Sequence, residues 1–121
     1  SLASKRGTLI MPITAKTFVE SKAVEQVQTT QYTAPTTAAI IDKITVINYS
    51  AAARTISVNI VPAGQGVADS NLIVQTKTLQ PGEAYTFPEI AGHILNLGDS
   101  ISTLGSLAAS MSLRVSGREI S

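Results

Sequence analysis

The segment Thr55-Ile56-Ser57-Val58-Asn59-Ile60 alternates strictly between polar and apolar residues, which places Ile56, Val58 and Ile60 on one face of a β-strand. Ser110-Met111-Ser112-Leu113-Arg114-Val115-Ser116 repeats the pattern, with Met111, Leu113 and Val115 inward and Arg114 outward. The run Ile40-Ile41-Asp42-Lys43-Ile44-Thr45-Val46-Ile47 is β-branched and mostly apolar, as suits a central strand. Weaker strand signals cover Phe18 to Gln28, Leu72 to Thr78, Ala84 to Phe87 and Ser100 to Leu104. Tyr85 and Phe87 share one strand face, expected to be core.

Turn chemistry separates these runs every ten to fifteen residues. Pro62-Ala63-Gly64-Gln65-Gly66 ends one strand, Gln80-Pro81-Gly82-Glu83 has Pro and Gly where a type II turn needs them, and Leu97-Gly98-Asp99-Ser100 is a further tight turn. One helical turn is expected between Val67 and Val74, capped by Asp69 or Ser70. This spacing is the rhythm of a sandwich, not of βαβ units. The reading is all-β: a β-sandwich or jelly roll in a single domain, as the 121-residue length allows, with an extended N-terminal arm.

Several function classes fall away. With no cysteine there is no disulfide framework and no thiolate metal or redox site, and a single histidine, His93, excludes a multi-histidine centre. No apolar run approaches the ~18–20 residues of a membrane span, and the opening residues have no signal-peptide pattern. A net charge of +1 provides no field that implies nucleic acid. Charged residues are only 14% of the chain, against roughly a quarter in ordinary domains, with Ser and Thr in their place. The expectation is a soluble, non-catalytic module without metal, cofactor, nucleic-acid or membrane partner.

Residues 1–22 hold Lys5, Arg6, Lys16 and Lys22 against Glu20 alone, so they carry +3 and the remainder −2. They read as an N-terminal arm or as the first edge strand, with residues 23–121 forming the sandwich. The apolar patch Leu9-Ile10-Met11-Pro12-Ile13 lies in that segment, and Pro12 disfavours helix there. As an arm it would add to a sheet edge of a neighbour and leave residues 30–121 to fold alone. Candidate interface residues are therefore Lys5, Arg6, Leu9, Ile10, Met11 and Ile13, with Arg114 and Arg118 from the C-terminal strand, since Arg is favoured at interfaces.

Candidate chemistry is thin. His93 sits between apolar neighbours without a Ser in a nucleophile-elbow context, so it reads as structural or interfacial. Glu83, Glu89 and Asp99 lie beside Pro or Gly in turns, where carboxylates cap backbone amides. Gly64-Gln65-Gly66 lacks the Lys and the helix opening of a phosphate loop.

Tyr32-Thr33-Ala34-Pro35, the run Ala39 to Asn48, Val58-Asn59-Ile60-Val61-Pro62, Leu79 to Phe87, Leu97-Gly98-Asp99-Ser100-Ile101 and Leu113 to Ile120 follow one another in an order that resembles small tailed-phage virion structural proteins. The resemblance covers about residues 30–121. It implies a β-sandwich or jelly-roll subunit of a bacteriophage virion, assembled in the bacterial host cytoplasm. The implied role is capsid decoration, a cement protein bridging major capsid subunits, with the major capsid protein, other virion proteins or further copies of itself as partners. A tail, baseplate or fibre subunit is the alternative, and a carbohydrate- or receptor-binding module is the alternative of another class.

Overall fold

The computed structural model describes residues 12–121. Lys5, Arg6, Leu9, Ile10 and Met11 lie outside the described residues. Nine strands follow in order: β1 (Ile13–Ala23), β2 (Thr29–Thr33), β3 (Ala38–Asn48), β4 (Arg54–Val61), β5 (Leu72–Leu79), β6 (Ala84–Thr86), β7 (Ile94–Asn96), β8 (Ser100–Gly105) and β9 (Met111–Ile120). They form two antiparallel sheets. One runs β1-β9-β3, with β6 and β7 both paired to β3; the other runs β2-β8-β4-β5.

β6 and β7 occupy successive stretches of one edge, interrupted by the turn that carries Pro88, which cannot donate to a ladder. Counted as one, they make eight strand positions. The chain visits the β9 sheet with β1, β3, β6–β7 and β9, and the β8 sheet with β2, β4–β5 and β8. Two four-position sheets with these crossings are a jelly roll, as the sequence leads one to expect.

The core lies between the sheets. Ile41, Ile44 and Val46 of β3, Ile56 and Val58 of β4, Ile101 of β8 and Met111, Leu113 and Val115 of β9 are buried, with Leu79, Phe87, Ile90 and Leu95 closing its sides. Each such side chain contributes about 1.5–3 kcal/mol by leaving water. Ile60 faces inward opposite Ile101 but is only partly covered. Tyr85 meets Phe87 edge-on, with ring centroids 4.8 Å apart.

Register shifts adjust the strand phase. On β3 the pairing with β9 jumps between Ile41 and Lys43, leaving Asp42 as an extra, exposed residue. That bulge lets two buried sets, Ala39/Ile41 and Ile44/Val46, face the same core although they are three residues apart where they meet.

The part of residues 1–22 that is described belongs to edge strand β1, and its Val19, with Val24 just beyond, is buried in the core. Val19 and Val24 thus pack into the same core as the side chains of residues 30–121. Between Val67 and Val74 the structure has a single 3-10 turn, Asp69–Asn71, held by neither expected cap. The Asn71 side chain fixes it instead, accepting from the Ala68 amide at 3.2 Å and donating to the Gly66 carbonyl at 3.0 Å.

Candidate assembly surface

Directly paired residues on neighbouring strands project to the same side of a sheet. On the outer face of the β9 sheet this produces rows that run across neighbouring strands. One row is Ile13, Ile120, Ala38 and Asn96; the next is Ala15, Arg118, Ile40 and Ile94. The following row is Thr17, Ser116 and Lys43. The first two rows make an apolar band at one end of the face, where Ile13 is 61% and Ile94 60% exposed, with Leu97 in the adjoining turn 62% exposed. Single exposed apolar residues are ordinary, but aligned across four strands they form a patch suited to a partner.

Arg118 rises from this band and is neutralised within the chain. Its guanidinium grips Asp42 with two parallel contacts, Nε donating to Oδ2 at 3.1 Å and Nη2 to Oδ1 at 2.8 Å, across the β3 bulge. The bulge thus aims Asp42 at the cation beside it. Arg114, further along the same face, reaches Thr17 Oγ1 at 3.3 Å and Glu20 at 3.6 Å. Both arginines expected at an interface therefore lie on the outer face of the β9 sheet, and both have partners within the chain. Ile13 joins them there, 61% exposed at the start of β1.

Beneath the band, the inward side of β9 continues the sequence alternation beyond Val115 to Gly117 and Glu119. Glu119 is nearly buried, accepting the Tyr32 hydroxyl from β2 and the Lys16 ammonium, the latter at 3.2 Å. One carboxylate thereby ties β9 to its sheet neighbour β1 and to β2 of the opposite sheet. Burial, together with the neighbouring carboxylate, pushes the Tyr32 phenol above its ordinary pKa. The Tyr32 ring stacks on Phe18 with centroids 4.1 Å apart. Phe18 in turn sits over Gly117, where a side chain would collide with its ring. Sequence reasoning missed Glu119, since a carboxylate at the end of an apolar face looks solvated. Its shared parity with Met111, Leu113 and Val115 was the available signal.

The outer face of the β8 sheet is different. The loop between β4 and β5 folds over it, fastened by Asn59, which donates to Asn71 Oδ1 at 2.7 Å and to the Ala68 carbonyl at 3.0 Å. Beside the loop lie two adjoining hollows of about 260 and 250 Å³ that share Ser57, Thr76 and Leu104. Hydroxyl- and amide-bearing residues share their lining with Val67, Leu72 and Leu104, and no aromatic ring lines them. Several of those groups are already engaged: Ser57 Oγ accepts from the Thr76 amide at 2.8 Å, and Gln28 donates to Ser102 at 2.8 Å.

The remaining polar candidates stabilise turns. Glu83 accepts from the Gln80 amide at 2.8 Å, and Asp99 accepts from the amides of Ala63 and Asn96, each at 2.9 Å. His93 Nε2 lies 3.0 Å from the Glu89 carbonyl, and Gly64 takes a positive φ of 78° in its turn. Among the described residues no three acidic or histidine side chains converge as a metal site.

No protein-family model and no curated protein sequence matches the chain. Among solved structures, it is similar to a chain from the Bacillus endospore appendages, described as a family of disulfide-linked pili, at 13% identity and a TM-score of 0.55 over 94% of this chain and 93% of that one. It is also similar to part of a chain of infectious bursal disease virus, Gx strain, at 17% identity and a TM-score of 0.46. That match takes in 87% of this chain but only 32% of the viral one. At these identities the likeness is one of fold.

Proposed function

We propose that the chain is a non-catalytic structural subunit of a bacteriophage virion, a capsid decoration protein that stabilises the shell by bridging major capsid subunits. The observation that carries this reading is the outer face of the β9 sheet, where an apolar band crosses four strands and its one charged residue, Arg118, is paired with Asp42 in-chain. A surface of that kind tolerates close neighbours, because a charge neutralised within the chain presents little net repulsion to them. The jelly-roll fold supports the reading: it supplies a rigid two-sheet body, and a similar fold serves in the appendage pili. Disulfide linkage, named for those pili, has no counterpart in these 121 residues, which hold no cysteine.

A carbohydrate-binding role finds less support. Phe18 and Tyr32 stack on each other, Tyr85 and Phe87 pack together, and Tyr49 alone is left as an exposed ring. A glycan platform would call for ring faces open to the ligand. The deciding experiment measures copies of this chain in purified phage particles by quantitative mass spectrometry. Hundreds per particle are expected for head decoration. A few to tens would move the chain to the tail, and none would refute the virion reading.

A further inference from the structure

A sheet edge exposes unpaired backbone groups, and folded proteins guard such edges with bulges, short strands, proline or charge. Three of the four edges among the described residues are guarded. β5 carries two register shifts against β4 and a left-handed Thr76 with φ 46°. β2 has five residues and a shift of its own, and the β6–β7 edge is broken into two strands of three residues. β1 differs. From Ile13 to Thr17 it pairs one-to-one with β9 without interruption, its first shift coming only after Thr17.

The direction of the outward groups follows from one contact. The Ser121 amide donates to the Pro12 carbonyl at 3.2 Å, so Pro12 and Ser121 form a bonded pair of the antiparallel ladder. Bonded and non-bonded pairs alternate, so Thr14 and Lys16 also point their backbone groups at β9. Ile13, Ala15 and Thr17 must then aim their N–H and C=O groups away from it, to the side where no described strand lies. Their side chains belong to the outer face, two of them in the apolar band. The charge that would guard such an edge is turned inward, because Lys16 is paired with Glu119.

We infer that the Ile13–Thr17 edge of β1 is a self-pairing site, joining a second copy of this chain antiparallel across a two-fold axis centred on Ala15. In that arrangement Ala15 exchanges backbone bonds with the second copy's Ala15, and Ile13 with the second copy's Thr17. The two β9 sheets become one continuous sheet and the two apolar bands share one face. Self-complementarity is what a two-fold contact requires, and an uninterrupted five-residue stretch with the small Ala15 at the axis supplies it. Each Lys16 falls opposite a Thr14 and keeps its own Glu119, so no like charges face each other directly. The inference deepens the assembly reading by naming a partner; it needs the β9 sheet to be an assembly surface but not that the assembly be a virion.

Sedimentation equilibrium of the full chain, with amide hydrogen exchange on the same samples, tests this. The contact is small, so a dimer populated between about 10 µM and 1 mM is expected. The amides of Ile13, Ala15 and Thr17 should be protected in step with dimer formation. Ala15→Pro removes an outward N–H without touching the β1–β9 ladder and should raise the dimer dissociation constant about 10- to 100-fold with the fold intact. A chain that stays monomeric throughout this range overturns the inference, as does a dimer whose three amides exchange like free edge amides. Protection of those amides in a monomer also overturns it, since the edge would then be covered from within the chain. Should Ala15→Pro fail to fold, the exchange of the unaltered protein still decides. Absence of the chain from virions, by contrast, would refute the virion reading and leave the self-pairing edge standing.

Discussion

Gly117 is where a single methyl group should do the most damage. A Cβ built on Gly117 would overlap the Ile40 carbonyl oxygen and stand 2.6 and 2.7 Å from Cε2 and Cζ of Phe18. Real Cβ atoms do not come so close, so β9 must part from β3 at this point and Phe18 must swing away. Ile40 is the ladder partner of Arg118, which leaves the backbone little room to yield. If Phe18 moves, its stack on Tyr32 is lost, worth about 0.5–1.5 kcal/mol beyond area burial. Residual overpacking adds about 1–3 kcal/mol. Gly117→Ala should therefore cost about 2–4 kcal/mol and lower Tm by on the order of 10 °C. Gly66→Ala is the matched control, because a Cβ there meets nothing within 4 Å; it should stay within about 0.5 kcal/mol of the parent. Denaturant melts of the three proteins give the comparison. If Gly117→Ala melted with the parent, the packing of Phe18 over β9, and with it the placement of β1, would be wrong.

Tyr32→Phe deprives the buried Glu119 of a donor and should cost about 1–3 kcal/mol at neutral pH. Because folding raises the Tyr32 pKa, its contribution is full below the ordinary tyrosine value near 10 and fades as pH climbs toward the folded value; the parent should lose stability above pH 10 more steeply than the variant, and parallel alkaline melting curves would contradict this. Asn71→Ala releases the loop over the β8 sheet, so limited proteolysis between residues 62 and 68 should accelerate while Tm falls by only a few degrees; an unchanged cleavage rate would show that other contacts hold the loop. Asp42→Ala breaks an ion pair that is exposed on both sides and should change stability by less than about 1 kcal/mol in chemical denaturation. A larger loss would mean that the bulge at Asp42, rather than the charge, has been disturbed.

The fold was legible where burial on one side imposed a two-residue period. β4 and β9 alternate cleanly in sequence and lie where the alternation puts them, as does β3 apart from its bulge at Asp42. β2, Thr-Thr-Gln-Tyr-Thr, has a single large apolar anchor, so its strand character arises from pairing with β8 and not from its own pattern. β7 spans three residues, too few to show a period. β1 was hard to read because its shifts move the buried position from Val19 to Val24, five residues on, and because Ile13 to Lys16 are exposed. Of the candidate surface, Arg114, Arg118 and Ile13 could be named from sequence, but their placement on one face could not. That depends on the β1–β9–β3 register, which no local pattern encodes. Ile40 and Ile94 of the same band come from strands far apart in the chain, and Asp42 became the partner of Arg118 only through the bulge.

The decisive feature is which face of the jelly roll meets its neighbours in the assembled state. A cryo-EM reconstruction of particles carrying this chain, at a resolution that traces strands, answers that directly. It should show the outer face and β1 edge of the β9 sheet, including Ile13, Ile40, Ile94 and Ile120, covered by an adjoining subunit, with the hollows beside Ser57 and Thr76 open to solvent. Contact through the β8 sheet with the Ile13–Ile120 band bare would contradict it.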